Sequence, residues 1–284
     1  MNTILDYIGN TPLVQVEDNI FAKIEGFNPG GSIKDRIALN MILEAEKKGI
    51  LKKGDIIVEP TSGNTGVALS MVGAMRGYKV SLLMPKTTSP EKIKMIRAFG
   101  GEVILIESIK WRKDVIDDIK ERIKKGENII FLNQYENVMN PQAHYKTTAR
   151  EILKQMKGKR IDFFVAGMGT GGTITGIGKK LKEKYPKIKI IGVEPKIGEI
   201  IEGLRSLKEG FVPPILNLEL IDEIYDLESI KAEKARKELA LEKGILVGPS
   251  SGAALCISKE IAKNNPGANI LTIFPDRGER YLYY

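Results

Sequence analysis

Residues 28–36 read NPGGSIKDR and place one lysine, Lys34, separated by two residues from a Gly30-Gly31 turn and beside an acid-base pair, Asp35 and Arg36. A primary amine held at an element boundary can attack a carbonyl or carry a proton. Three clusters of small residues accompany it: TSGNTG (61–66), GMGTGGT (167–173) and PSSGA (249–253). Each follows an apolar run and opens a predicted helix. Free backbone N–H groups and the positive end of a helix bind an anion there, and small side chains let it approach. Tight turns with Ser/Thr caps would use the same residues. Three clusters at equivalent positions favour a site.

The second cluster also fits GxGxxG through Gly167, Gly169 and Gly172, with Glu194 about 20 residues on, where a dinucleotide fold sets its ribose acid. A nicotinamide oxidoreductase is therefore a competing reading, although it leaves NPGGSIKDR and TSGNTG without a task. Gly169, Thr170, Gly171, Gly172 and Thr173 would hold a phosphate monoester equally well, and their hydroxyls add donors. A phosphate cup paired with a boundary lysine points to an imine-forming lysine for pyridoxal 5'-phosphate. The other role open to Lys34 is a plain helix-start lysine, mildly disfavoured by the helix dipole.

These groups must be carried by a framework, and the rest of the sequence predicts one. Apolar runs at 55–60, 79–85, 102–107 and 128–133 read as strands, with helices over 64–77, 89–100 and 111–126 between them. A second series has strands at 162–168, 189–195, GILVG (244–248) and 269–276, with helices after Thr173, around 229–243 and from Ser250. Such alternation predicts an α/β chain of two domains, each with a mainly parallel sheet flanked by helices, the second domain larger. Ligands in such sheets collect at the carboxyl ends of strands.

Composition narrows the function classes. The 284 residues are 42% hydrophobic and carry a formal net charge of +8, in lysines interleaved with glutamates. No basic run is interleaved with aromatics and no nucleic-acid motif occurs, so neither nucleic acid nor membrane is an expected partner. The single cysteine, Cys256, excludes an intrachain disulfide and a cysteine zinc cluster, and a cytoplasmic location is expected. The single histidine, His144, in a predicted helix start, reads as a structural residue; no metal site is expected.

The motifs together resemble the cysteine synthase (O-acetylserine sulfhydrylase) family of fold-type II pyridoxal-phosphate enzymes. The match runs through IGNTPLV (8–14), KIEGFNPGGSIKDRIA, EPTSGNTG, NQYENVMNPQAHYKTT, GMGTGGTITG, VGPSSGAA and PDRGERYL (275–282), and residues 201–224 look most like the B-type enzymes. The resemblance implies a smaller mobile domain over 36–134 and a larger one from 1–35 plus 135–284. It implies that Lys34 forms the imine with the cofactor, Asn64 bonds the ring hydroxyl, Gly169, Thr170, Gly171, Gly172 and Thr173 cup the phosphate, and Ser250 meets the pyridine nitrogen. Thr61, Ser62, Thr65 and Gln134 would bind the amino-acid carboxylate.

The implied reaction is β-replacement on O-acetyl-L-serine by sulfide through an α-aminoacrylate, in a homodimer. Arg205 would extend the nucleophile to thiosulfate, unless it is a surface arginine. A cysteine lyase, a cystathionine or lanthionine synthase and an O-phosphoserine user share these motifs. Departures from the family pattern are SIKWRKD (108–114), where a glycine-containing loop is common, Pro249, and an end at Tyr284 sooner than in many members.

Overall fold

A computed structural model describes residues 2–107 and 111–282. The elements in chain order are β1 (Leu13–Glu17), β2 (Ile20–Ile24), α1 (Lys34–Lys47), β3 (Ile56–Pro60), α2 (Asn64–Arg76), β4 (Lys79–Pro85), α3 (Pro90–Ala98) and β5 (Glu102–Ile106). Then come α4 (Trp111–Lys124), β6 (Ile129–Phe131), α5 (Met139–Ala143), a π-helical turn at His144–Thr148 and α6 (Ala149–Gln155). The chain continues with β7 (Phe163–Gly167), α7 (Gly172–Lys184), β8 (Lys189–Pro195), β9 (Glu223–Leu227), α8 (Ser229–Lys243), α9 (Pro249–Asn264) and β10 (Ile270–Phe274). Residues 108–110 of the SIKWRKD departure lie outside the described residues, and Trp111 opens α4.

The chain divides into two compact units, Met1–Ile8 with Lys34–Met139, and Gly9–Ile33 with Asn140–Tyr284. The smaller unit contains a four-stranded, wholly parallel sheet in the order β5-β4-β3-β6. Its inner strands are apolar on both faces: Ile57, Val58, Leu82, Leu83 and Met84 are all buried. Val58, Leu83 and Ile129 pack with Ile119 of α4. Helix α2 lies close to the sheet, since a side chain at Gly73 would meet Val80 at 2.5 Å. It stops at Gly77, whose left-handed φ of 80° suits a residue with no Cβ.

The larger unit holds six strands in the order β1-β2-β10-β7-β8-β9, parallel except for the β1-β2 pair. Alternate residues sort to opposite faces. Ile20, Ala22, Ile24, Val165, Ile191 and Val193 join one core with residues of α8 and α9, while Phe21, Phe164, Ala166, Ile190 and Leu271 join another with residues of α6 and α7. The parallel α/β reading therefore describes both units. Burial of Lys23 within β2 is compensated by its bonds to the Thr11 carbonyl (2.6 Å) and Gln155 Oε1 (2.8 Å) and by its ion pair with Glu151 (2.8 Å).

One expected strand is absent. GILVG forms only an isolated bridge between Val247 and Arg277. Its backbone neighbour is the C-terminal segment and not a strand: a Cβ on Gly248 would lie 2.6 Å from the Tyr281 ring, and one on Gly278 would lie 2.6 Å from Leu246, while Val247 is buried in the core shared with β2, β7, β8 and β10. Three strands of the larger sheet, β1, β2 and β9, have no counterpart among the expected strands, and each has polar residues within its run. The segment around His144 does open a helical stretch, starting with α5 at Met139, and His144 itself begins the π-helical turn linking α5 to α6.

Candidate active site

In the smaller unit, Lys34 is the first residue of α1 and half-buried, and Asn64 is the first residue of α2. The loop from β3 to α2 holds Thr61, Ser62 and Gly63. Thr61 anchors it: its N–H donates to the Leu83 carbonyl (3.0 Å), and its hydroxyl accepts the Gly63 N–H (3.2 Å). Ser62 is exposed. Thr65 and Gln134 are brought together, the threonine hydroxyl donating to Gln134 Oε1 at 2.7 Å, with both side chains buried.

A residue missed by sequence reasoning underlies this arrangement. Glu59, fully buried in β3, accepts the Asn133 N–H on Oε2 and the Gln134 N–H on Oε1, each at 2.9 Å. Burial pushes its carboxyl up to about 8, against the opposing pull of the Gln134 and Asn133 N–H donors. The signal available in the sequence was an acid inside the otherwise apolar strand IIVEP (56–60).

In the larger unit, residues 167–173 leave β7 and turn into α7. Three glycines there are required by contact or conformation. A Cβ on Gly169 would overlap the Gly203 carbonyl oxygen. Gly171 has φ +84° and would place a Cβ 2.6 Å from that of Leu216, and a Cβ on Gly172 would overlap the Asn140 side-chain oxygen. Gly203 in turn has Ser250 within 3.5 Å of where its own Cβ would be. Gly203 thus joins the 169–173 loop to Ser250, which is buried in the first turn of α9.

Asn140 and His144 back this loop, and neither role was anticipated. Asn140 Nδ2 donates to Thr170 Oγ1 at 3.2 Å. Buried His144 has Nδ1 3.1 Å from Thr148 Oγ1 and Nε2 3.4 Å from Thr173 Oγ1, so the expected structural histidine also touches the loop. Arg205 is half-buried, and its backbone N–H donates to the Met168 carbonyl (2.8 Å). Glu194, the acid required by the dinucleotide reading, is buried and accepts the Leu207 N–H at 2.8 Å. That carboxylate is engaged by the Leu207 backbone.

The segment 26–33, leading to Lys34, is braced by the C-terminal residues. Arg277 Nε donates to the Gly26 carbonyl (2.6 Å), Arg280 donates to the Gly30 carbonyl, and the Ile33 N–H donates to the Pro275 carbonyl (2.7 Å). Gly31, at φ +79°, leaves the space occupied by the Arg280 guanidinium.

The 169–173 loop fits a phosphate monoester. Its glycines let the backbone pack closely on Gly203, Leu216 and Asn140, and it offers two threonine hydroxyls and the N-terminus of a 13-residue helix as donors. Among the described residues no group of three or more His, Cys, Asp or Glu could hold a metal, and no helix is long and apolar enough to cross a membrane.

Comparison with known proteins agrees with this chemistry. The chain is 44% identical over 289 residues to cysteine synthase B of Salmonella typhimurium, covering 99% of this chain and 95% of that protein. It is 43% identical over 297 residues to a cysteine synthase of Staphylococcus aureus, covering 99% and 96%. Among solved structures, O-ureido-L-serine synthase superposes with a TM-score of 0.93 at 39% identity, covering 100% of this chain and 94% of that one. A hydrogen sulfide-producing enzyme of Fusobacterium nucleatum gives 0.93 at 42% identity, covering 99% and 100%. With the profile described as pyridoxal-phosphate dependent enzyme matching residues 4–276, the chain belongs to that family.

Proposed function

We propose that this enzyme makes L-cysteine by β-replacement, exchanging the acetate of O-acetyl-L-serine for sulfide. The observation that carries the reading is the phosphate cradle at 169–173, packed through Gly203 against Ser250, in a chain whose relatives include cysteine synthases along its full length. In this reading Gly169, Thr170, Gly171, Gly172 and Thr173 hold the cofactor phosphate, Asn64 bonds its ring hydroxyl, and Ser250 meets its ring nitrogen. Bound pyridoxal phosphate supplies an electron sink conjugated to the substrate α-carbon.

The protein residues do the remaining work. Thr61, Ser62, Thr65 and Gln134 bind the substrate carboxylate with hydroxyl, amide and backbone donors. The Lys34 amine takes the α-proton, acetate leaves the β-carbon, sulfide bonds to that carbon, and Lys34 returns the proton. The balance is O-acetyl-L-serine plus hydrogen sulfide to L-cysteine plus acetic acid. Ser250 offers a neutral hydroxyl and does not hold the ring nitrogen protonated as a carboxylate would. Prompt β-elimination is thereby favoured over prolonged carbanion chemistry.

The half-buried position of Arg205, one hydrogen bond from Met168, supports a role with a larger anionic nucleophile such as thiosulfate. A cytoplasmic homodimer is the assembly proposed.

The test is cysteine formation from O-acetyl-L-serine and sulfide by the holoenzyme, with borohydride reduction and peptide mapping. Cysteine production and a reduced cofactor adduct on Lys34 are expected; an unmodified Lys34 in cofactor-saturated protein refutes the assignment. The Fusobacterium relative favours a second reading, release of sulfide from cysteine. Sulfide evolved from L-cysteine at a rate exceeding the synthetic rate would select it.

A further inference from the structure

The parallel ladder between β3 and β6 ends early. It pairs Ile56 with Ile129, Ile57 with Ile130 and Val58 with Phe131, and Glu59 has no partner residue in β6. At that point a side chain continues the hydrogen bonding. The two oxygens of Glu59 accept the N–H groups of Asn133 and Gln134, two consecutive residues that have left the strand. Asn133 has a left-handed φ of 51°, and its carbonyl accepts the N–H groups of Glu136 (3.1 Å) and Asn137 (2.9 Å). The chain therefore turns sharply where the carboxyl holds it.

We propose that Glu59 is a positioning residue for recognition of the substrate carboxylate, fixing the Gln134 backbone so that its side chain meets Thr65. Two residues on along the same chain lies Thr61, so one side chain ties the 61–65 loop of β3 to the residue past β6 that completes the donor set. Its two oxygens match two adjacent N–H groups. A carboxyl, ionised or protonated, keeps a lone pair on each oxygen for these N–H groups, whereas glutamine would set an NH₂ donor against one of them and aspartate is a methylene shorter. The inference rests on the reading that Thr65 and Gln134 bind a carboxylate.

The experiment titrates the holoenzyme's visible cofactor band with L-alanine and with L-alaninol, in which a neutral hydroxymethyl group replaces the carboxylate. Wild-type protein should prefer L-alanine, and Gln134→Ala should lose that preference. Glu59→Gln should raise the L-alanine dissociation constant roughly tenfold or more, as a misplaced binding group does, while leaving L-alaninol unchanged. Glu59→Gln/Gln134→Ala should bind L-alanine no worse than Gln134→Ala alone, because Glu59 acts through Gln134.

An unchanged L-alanine affinity in Glu59→Gln, with Gln134→Ala impaired, overturns the inference and spares the carboxylate site. Additive losses in the double variant also overturn it. Retained preference in Gln134→Ala removes the carboxylate-site reading itself. Should Glu59→Gln fail to fold, amide hydrogen exchange in the wild-type holoenzyme decides: protection at Asn133 and Gln134 is expected, and exchange at open-loop rates at both refutes the clamp.

Discussion

Substituting Gly172 tests whether the phosphate cradle is shaped by one buried contact. Gly172 opens α7 with no positive φ, so alanine there meets no backbone strain. The obstacle is Asn140, whose side-chain oxygen would overlap the new Cβ and whose Cγ would lie 2.5 Å from it. Gly172→Ala must displace the asparagine, at about 1–3 kcal/mol for overpacking, and must break the Asn140–Thr170 bond, at about 1 kcal/mol more. The single variant should therefore lose about 3 kcal/mol. Asn140→Ala alone should lose about 2 kcal/mol, from the same bond and a small cavity.

Added together these losses come to about 5 kcal/mol, but Asn140→Ala removes the atoms that obstruct residue 172. The double variant should lose only about 2 kcal/mol, a coupling of about 3 kcal/mol, at the upper end for contacting residues. A second damaging substitution thus rescues the first. Urea unfolding of all four apoproteins, followed by their cofactor dissociation constants, measures the cycle. Strict additivity would show that something other than Asn140 excludes a side chain at 172.

Glu59 should make stability depend on pH. Its carboxyl is raised from an ordinary 4.5 to about 8 by burial, so between those values the folded protein holds a proton that the unfolded chain has released. Stability from this group is complete below 4.5 and falls by roughly 1.4 kcal/mol per pH unit, about 5 kcal/mol by pH 8; Glu59→Gln should remove that slope in unfolding curves at pH 5 and 8. Gly171→Ala and Gly203→Ala share positive φ, but only the former collides, with Leu216. Both should lose about 1–2 kcal/mol from strain, with a further 1–3 kcal/mol and a larger drop in cofactor affinity at 171 alone; equal losses would refute the collision. Lys23→Met strands the Glu151 carboxylate and should destabilise by about 3 kcal/mol in urea unfolding, restored in part by Lys23→Met/Glu151→Gln.

What could be read in the sequence was whatever a single stretch of backbone demands. Gly77 stops α2 in the left-handed conformation and Gly100, at φ 77°, follows the end of α3, and the glycine-hydroxyl loops at 61–66, 167–173 and 249–253 lead into α2, α7 and α9. Strand-helix alternation was legible because buried parallel strands are apolar runs. β1 and β9 escaped because edge strands alternate polar residues with apolar ones: Gln15 and Glu17 interrupt β1, and Glu223 and Asp226 interrupt β9. β2 escaped for another reason, a buried lysine whose compensating partners lie on other elements.

The same distinction separates the candidate ligand-binding residues from those that hold them. Lys34, Asn64 and the 169–173 loop lie in short motifs, where residue type and spacing already express the chemistry. Glu59 takes its meaning from N–H groups 74 and 75 residues away, and Asn140 from a hydroxyl 30 residues away. An acid in an apolar strand has no local justification, and the structure supplies a distant one: two donors that the β3–β6 ladder stops too soon to satisfy. A buried ionisable residue whose own strand cannot explain it is therefore a pointer to a second segment that must be held in place, and here that segment carries Gln134.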